Sequence, residues 1–311
     1  MDTQEAQDGE RRAHYARVLG EVVNAAFAAD GFASLCALLR VGGMSDANWD
    51  PFEESREAFD DYNWMLSSVG AARGARAARR TRLLMYCQAV EMSAPQEILA
   101  NLLRCAAKRS YTVDPFIDLG RRKKKDPWAW IPPSASMKFR HLKELSEAAK
   151  IESLSDAIDT VFDERVRNAF SHSDYVITDE QFRFSEGRLV QQIPVEQLDR
   201  LVDEGFAFYG AFLMLHREWL RQAARMKKFH QWPNYEVLEL LSSADEGVYG
   251  FHVHFSNGTR ATYTRRKEGI EAINLVFQQD GGIGFQVGDL GALTKAWKIN
   301  GRPVDDWSAL P

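Results

Sequence analysis

The residues of this chain best equipped for chemistry are Arg167, Asn168 and His172, which stand in the run Arg167-Asn168-Ala169-Phe170-Ser171-His172. An imidazole changes protonation near neutral pH and can move protons. A guanidinium fork matches the oxygens of a phosphate and stabilises charge that develops on them. An amide beside them can position a substrate. Ser171, Asp174 and Tyr175 are the polar neighbours that could support such a site from behind.

A predicted amphipathic helix from about Leu154 must position these side chains. Its apolar stripe is Leu154, Ile158, Val161, Phe162 and Ala169. Ser153-Leu154-Ser155-Asp156 has capping-box spacing at its start. At about 100° per residue, Arg167 and His172 lie roughly 140° apart on an ideal helix. They can act together only if the Arg wraps round, the helix end distorts, or a partner surface gathers them. Asn168 and His172 are one turn apart and therefore neighbours. The spacing alone says little, because Arg225 and His230 share it. There the Arg is followed by Met226, at the end of another helix, and the match is read as a decoy.

A polar residue after the Arg, an amphipathic helix before the motif and a long one after it give the first match its context. Arg167-Asn168-Ala169-Phe170-Ser171-His172 resembles the Arg-(polar)-x3-His form of the Arg-x4-6-His motif of HEPN proteins (higher eukaryotes and prokaryotes nucleotide-binding). The resemblance spans residues 50–230 and leaves 232–311 unexplained. It implies an antiparallel helical bundle that dimerises so that two motifs face one cleft. It also implies a metal-independent endoribonuclease that uses no cofactor and serves as a toxin or anti-phage defence effector. Arg167, Asn168 and His172 would be catalytic, with RNA as substrate and an antitoxin or other defence-system protein as partner. The ribose 2′-OH would attack the adjacent phosphorus, leaving a 2′,3′-cyclic phosphate and a 5′-OH. One subgroup carries a Tyr two residues after the His. Here that position is Asp174 and Tyr175 comes third, so that subgroup's tyrosine modification is not carried over. A different class of reading stays open: the same bundle as a non-catalytic nucleotide-binding or dimerisation module, acting as scaffold or regulator.

Composition sets bounds on these readings. The chain has 311 residues, 45% hydrophobic and 27% charged, with net charge -5. A net acidic chain does not advertise nucleic-acid binding, so RNA contact needs a local basic patch. One candidate is Arg121, Arg122, Lys123, Lys124 and Lys125 with Trp128 and Trp130 nearby, where cations could follow a backbone and rings could stack on bases. Another is the set Arg73, Arg76, Arg79, Arg80 and Arg82. Three scattered cysteines without a Cys-x-x-Cys pair fit a reducing cytoplasm. No stretch approaches a membrane span, and the polar N-terminus does not read as a signal peptide. His252 and His254 alternate on a predicted strand and share a face, but no third metal ligand stands at a telling distance. His216 reads as a packed core residue.

The organisation expected is mainly α with a smaller α+β part. Residues 1–50 form an N-terminal helical extension. Residues 51–231 form the HEPN-like bundle, with a hairpin insertion near 175–193. Residues 232–311 form a small β-rich domain. The prolines of 127–133 rule out a helix there, and residues 110–136 read as a loop.

Overall fold

The structure is a computed structural model. It describes residues 3–42, 51–69, 75–124, 126–225, 237–255, 258–266, 269–277, 282–285, 296–299 and 302–303. The chain opens with helices α1 (Thr3–Ala29), α2 (Gly31–Leu39), α3 (Pro51–Val69), α4 (Ala75–Glu91) and α5 (Ser93–Ala106). A two-stranded antiparallel ribbon follows, β1 (Arg121–Lys123) and β2 (Asp126–Ile131). Next come α6 (Ala135–Ala149), α7 (Glu152–Val161) and α8 (Glu164–Ser171). An antiparallel meander of β3 (Tyr175–Ile177), β4 (Gln181–Glu186) and β5 (Leu189–Pro194) then leads into the long helix α9 (Val195–Ala223).

The loop expected around residues 121–131 is therefore a β-ribbon. Pro127 is compatible with it because both strands of a two-stranded ribbon are edges, where a missing N–H is tolerated. The insertion at 175–194 has three strands and closes Phe182 and Phe184 of its central strand into the core.

α9 is the axis of the helical part. Pro194 supplies the fixed φ suited to a helix start. Leu198, Val202, Gly205, Tyr209, Phe212, His216 and Trp219 then recur every three to four residues and are buried. α1 runs along α9 and α5 and so supplies an integral wall of the bundle. Polar clamps tie the helices at the periphery of these contacts. Arg79 Nη2 meets Asp199 at 2.9 Å, Arg82 pairs with Asp203, and the Tyr15 hydroxyl donates to Glu204 at 2.7 Å. Arg79 and Arg82 are thus bound to α9 rather than free for RNA, and Arg76 meets Asp179 at 3.1 Å. Arg80 is exposed, and Arg73 lies outside the described residues.

The C-terminal part is a six-stranded sheet in the order β13-β12-β6-β7-β8-β9. Its strands are β6 (Val237–Ser243), β7 (Gly247–His254), β8 (Arg260–Arg266), β9 (Gly269–Ile273), β12 (Ala296–Ile299) and β13 (Arg302–Pro303). A separate pair, β10 (Leu275–Phe277) and β11 (Ile283–Phe285), lies between β9 and β12 in sequence. Leu238, Leu240, Phe251, Val253, Ala261 and Tyr263 alternate onto one face of the sheet and join the helical core. Phe251 meets Phe32 of α2 edge-to-face at 5.3 Å.

Cap bonds from Arg40 N and Val41 N serve Ala37 O and Cys36 O, while the last carbonyls of α2 belong to the buried Leu38 and Leu39. The Tyr263 hydroxyl donates to Leu39 O at 3.0 Å, and His216 Nε2 lies 2.8 Å from Leu38 O. The sheet and α9 therefore satisfy the end of α2. The junction expected near residue 232 lies outside the described residues. Among the described residues no helix is long and apolar enough to cross a membrane.

Candidate active site

The helix expected to run unbroken from Leu154 to the motif is two helices. α7 stops at Val161, and Phe162 is extended at φ -132°, ψ 118°. The buried Tyr86 hydroxyl of α4 sits at the break. It donates to Val161 O at 3.0 Å and accepts from Asp163 N at 3.4 Å, so both freed backbone groups have a partner. The ring reaches this point past Gly205 of α9. A Cβ at Gly205 would lie 2.7 Å from the ring carbons of Tyr86, closer than packing allows.

α8 restarts on a new axis, capped by Asp163, whose carboxylate accepts from Arg165 N at 2.9 Å and Val166 N at 3.3 Å. Burial acts to raise the Asp163 carboxyl, but the Arg165 guanidinium and these two N–H groups hold it below its ordinary value. The capping box expected at Ser153 is not formed. The N-cap of α7 is Ile151 without a side-chain bond, and Ser153 Oγ donates to Glu21 at 2.6 Å.

α8 presses Val166 and Ala169 inward and leaves Arg167, Asn168 and His172 at its surface. Its end is a Schellman turn with His172 as the C-cap. Ser173 takes the left-handed conformation at φ 59°. Ser173 N donates to Phe170 O at 3.0 Å, and Asp174 N to Ala169 O at 2.9 Å. The His172 ring is exposed, and among the described residues it makes no side-chain hydrogen bond.

Arg167 points the other way, to α4. Its Nε donates to Glu91 Oε1 at 2.5 Å, and its Nη1 donates to Asn168 Oδ1 at 2.8 Å. Asn168 and His172 line one cleft of about 350 Å³ with Glu164, Arg165, Asp174 and the β4–β5 turn. Glu91 lines a larger cleft of about 790 Å³ that also holds Glu54, Glu97, Asp114, Arg40 and Lys138. The chain Glu91–Arg167–Asn168 therefore links the two clefts, and Arg167 is absent from the lining of the one that holds His172.

The remaining sequence-derived candidates divide. Asp174 lines the His172 cleft, whereas Ser171 is exposed and outside it. Tyr175 stacks between Phe170 at 5.4 Å and Phe182 at 5.3 Å, so it anchors the meander to α8. Arg121, Arg122 and Lys124 are exposed on the ribbon. The side chains of Lys123, Lys125 and Trp128 lie outside the described residues, as does His230.

His252 Nδ1 lies 3.0 Å from Thr262 Oγ1, and His254 Nε2 lies 2.7 Å from Glu239. Among the described residues no group of three His, Cys, Asp or Glu side chains is arranged to hold a metal ion. Cys36, Cys87 and Cys105 are free thiols and buried; burial pushes Cys87 up to about 12 despite the nearby Arg167.

Sequence reasoning missed Glu91, because nothing in the chain marks a carboxylate 76 positions before Arg167 as its partner. It also missed Asp163, although an Asp followed by Glu164 is an ordinary helix start. Comparison with protein families, with characterised proteins and with solved structures finds no match to this chain.

Proposed function

We propose that the chain is a metal-independent endoribonuclease of the HEPN kind, acting at Arg167, Asn168 and His172 as a toxin or defence effector. One observation carries this reading. An exposed histidine and an asparagine share a cleft at a helix end, and that asparagine accepts a hydrogen bond from the neighbouring arginine.

In this reaction the 2′-OH gives its proton to His172 and its oxygen attacks the adjacent phosphorus. The P–O5′ bond breaks, and the 5′-oxygen takes up a proton. Arg167 neutralises the extra charge on the phosphoryl oxygens. Glu91 acts as a positioning residue that holds the guanidinium, and Asn168 couples it to the cleft. Because Arg167 and His172 diverge on α8, the proposal includes a homodimer in which the Arg167 of one copy serves the His172 of the other. Mixing an Arg167→Ala chain with a His172→Ala chain then restores activity that neither has alone. Failure of every such mixture, with a dimer present, removes the shared-cleft part of the proposal.

A second reading, a non-catalytic nucleotide-binding or dimerisation module, is favoured by the charge of the His172 cleft. Glu164, Asp174 and Glu186 stand there against Arg165 alone, an unwelcoming lining for a polyanion. Expression in cells separates the two. Growth arrest and RNA loss that depend on Arg167 and His172 support the nuclease. Retained dimerisation without any RNA loss supports the module.

A further inference from the structure

A third pocket, of about 360 Å³, opens where α3 and α9 meet the β6–β7 turn and strand β8. Its charge runs against that of the chain as a whole. Arg56, Arg217, Arg221, Arg265 and Arg266 line it, against the carboxylates Glu53, Asp245 and Glu246. Five cations minus three anions leave the lining itself at +2 in a protein of net charge -5, with Glu218 just outside it beside Arg221.

The ion pairs inside it are loose. Arg56 and Arg265 both approach the Glu53 carboxylate, at 3.6 and 3.9 Å, and Arg265 Nη1 also donates to Leu38 O at 3.4 Å. Arg221 lies 3.9 Å from Glu218 while its Nη2 donates to Asp245 O at 3.0 Å, and Arg266 lies 4.0 Å from Glu246. By contrast, the Arg79–Asp199 clamp closes to 2.9 Å. Arg221 Nε is buried in this region and makes no hydrogen bond among the described residues. A buried donor left in that state is costly, and an incoming acceptor removes the cost.

The cations are also held ready. The guanidiniums of Arg56 and Arg265 lie against the Phe52 ring at 5.1 and 4.9 Å, and Arg266 lies over Tyr249 at 3.8 Å. His216, at the inner wall, is kept neutral by burial and by Arg265 and Arg56, so its Nδ1 can accept from Arg56 at 3.4 Å. Gly247 at φ +75° fixes the β6–β7 turn. A Cβ there would collide with the backbone of Leu220 and Arg221, so the turn seats directly on α9.

We infer that this pocket binds the terminal phosphate of a small phosphorylated molecule. A phosphate dianion matches the +2 charge, and its oxygens suit several guanidinium forks. Arg265 is only 6% exposed, so a compact end group is what can reach the inner guanidinium. The site joins the helical part to the sheet, and its ligand would couple the two. The inference does not depend on the ribonuclease reading.

The test is calorimetric titration of the full chain with inorganic phosphate, pyrophosphate and ADP at matched ionic strength. Saturable 1:1 binding is expected, together with a ligand-dependent rise in Tm. Arg221→Gln and Arg266→Gln should each weaken binding at least tenfold, while His172→Ala leaves it unchanged. Should an Arg variant fail to fold, Glu246→Gln gives an independent reading. Losing a carboxylate that repels the bound dianion should tighten binding severalfold. Absence of saturable binding by wild type at millimolar ligand overturns the inference, as does binding indifferent to Glu246→Gln. Displacement of pyrophosphate by an RNA oligomer lacking terminal phosphates overturns it in favour of a backbone site.

Discussion

Replacing Tyr86 by phenylalanine removes one oxygen from the point where α7 gives way to α8. In the native chain that oxygen serves both Val161 O and Asp163 N, at 3.0 and 3.4 Å. The phenylalanine ring fits the same space, so no cavity forms, but the buried carbonyl loses its partner. An orphaned group of this kind costs about 1–3 kcal/mol. Taking about 2 kcal/mol and about 2–4 °C per kcal/mol for a chain of this size, Tm falls by roughly 4–8 °C. Urea and thermal unfolding measure this directly. Amide exchange should also quicken around residues 162–166 before it does in α9, since the damage is local. A Tyr86→Phe protein within about 0.5 kcal/mol of wild type would refute the account of the break. So would a loss of protection spread evenly through the bundle.

Other perturbations test neighbouring parts of the account. Gly205→Ala drives a methyl into the Tyr86 ring and should cost about 1–3 kcal/mol in chemical denaturation, with wild-type stability as the contradicting result. Asp163→Ala removes the α8 cap and should cost about 1 kcal/mol, whereas Asp163→Asn keeps most of it. Because the Asp163 carboxyl is held low in the folded state, its contribution is present above the unfolded carboxylate value and is lost as pH falls through the folded one. His216 is buried neutral with its basicity suppressed, so the unfolded chain binds the extra proton. Stability from this site is full above about pH 6.5 and falls below it by up to about 1.4 kcal/mol per pH unit. His216→Gln should flatten that part of the pH–stability curve. Glu91→Gln should leave folding intact and lower RNA cleavage about tenfold or more, since Arg167 loses its charged anchor. Unchanged cleavage would remove Glu91 from the site.

Apolar period carried most of the fold. The buried positions of α9 and α1, and the alternation of β4, are visible in the residues themselves. The break at Phe162 was not visible, because Val161 and Phe162 continue the apolar stripe of α7. Its cause is a hydroxyl from Tyr86, admitted by a glycine in α9. The prolines of 127–133 bar a helix and point to a loop, yet they permit an edge strand in the ribbon at 121–131. At the candidate site, the divergence of Arg167 from His172 followed from helix geometry, and the structure turns the arginine to Glu91. That partner is a tertiary fact without a local sequence sign. The arginines of α4 show the reverse case. Their run suggested a polyanion surface, while Asp199 and Asp203 on α9 engage Arg79 and Arg82.

The most direct test of the central claim is incubation of the purified chain with single-stranded RNA in EDTA, followed by analysis of the product ends. The account predicts cleavage that leaves 2′,3′-cyclic phosphate and 5′-OH ends, abolished by His172→Ala and by Arg167→Ala. Cleavage that EDTA stops, or that His172→Ala retains in full, would contradict it.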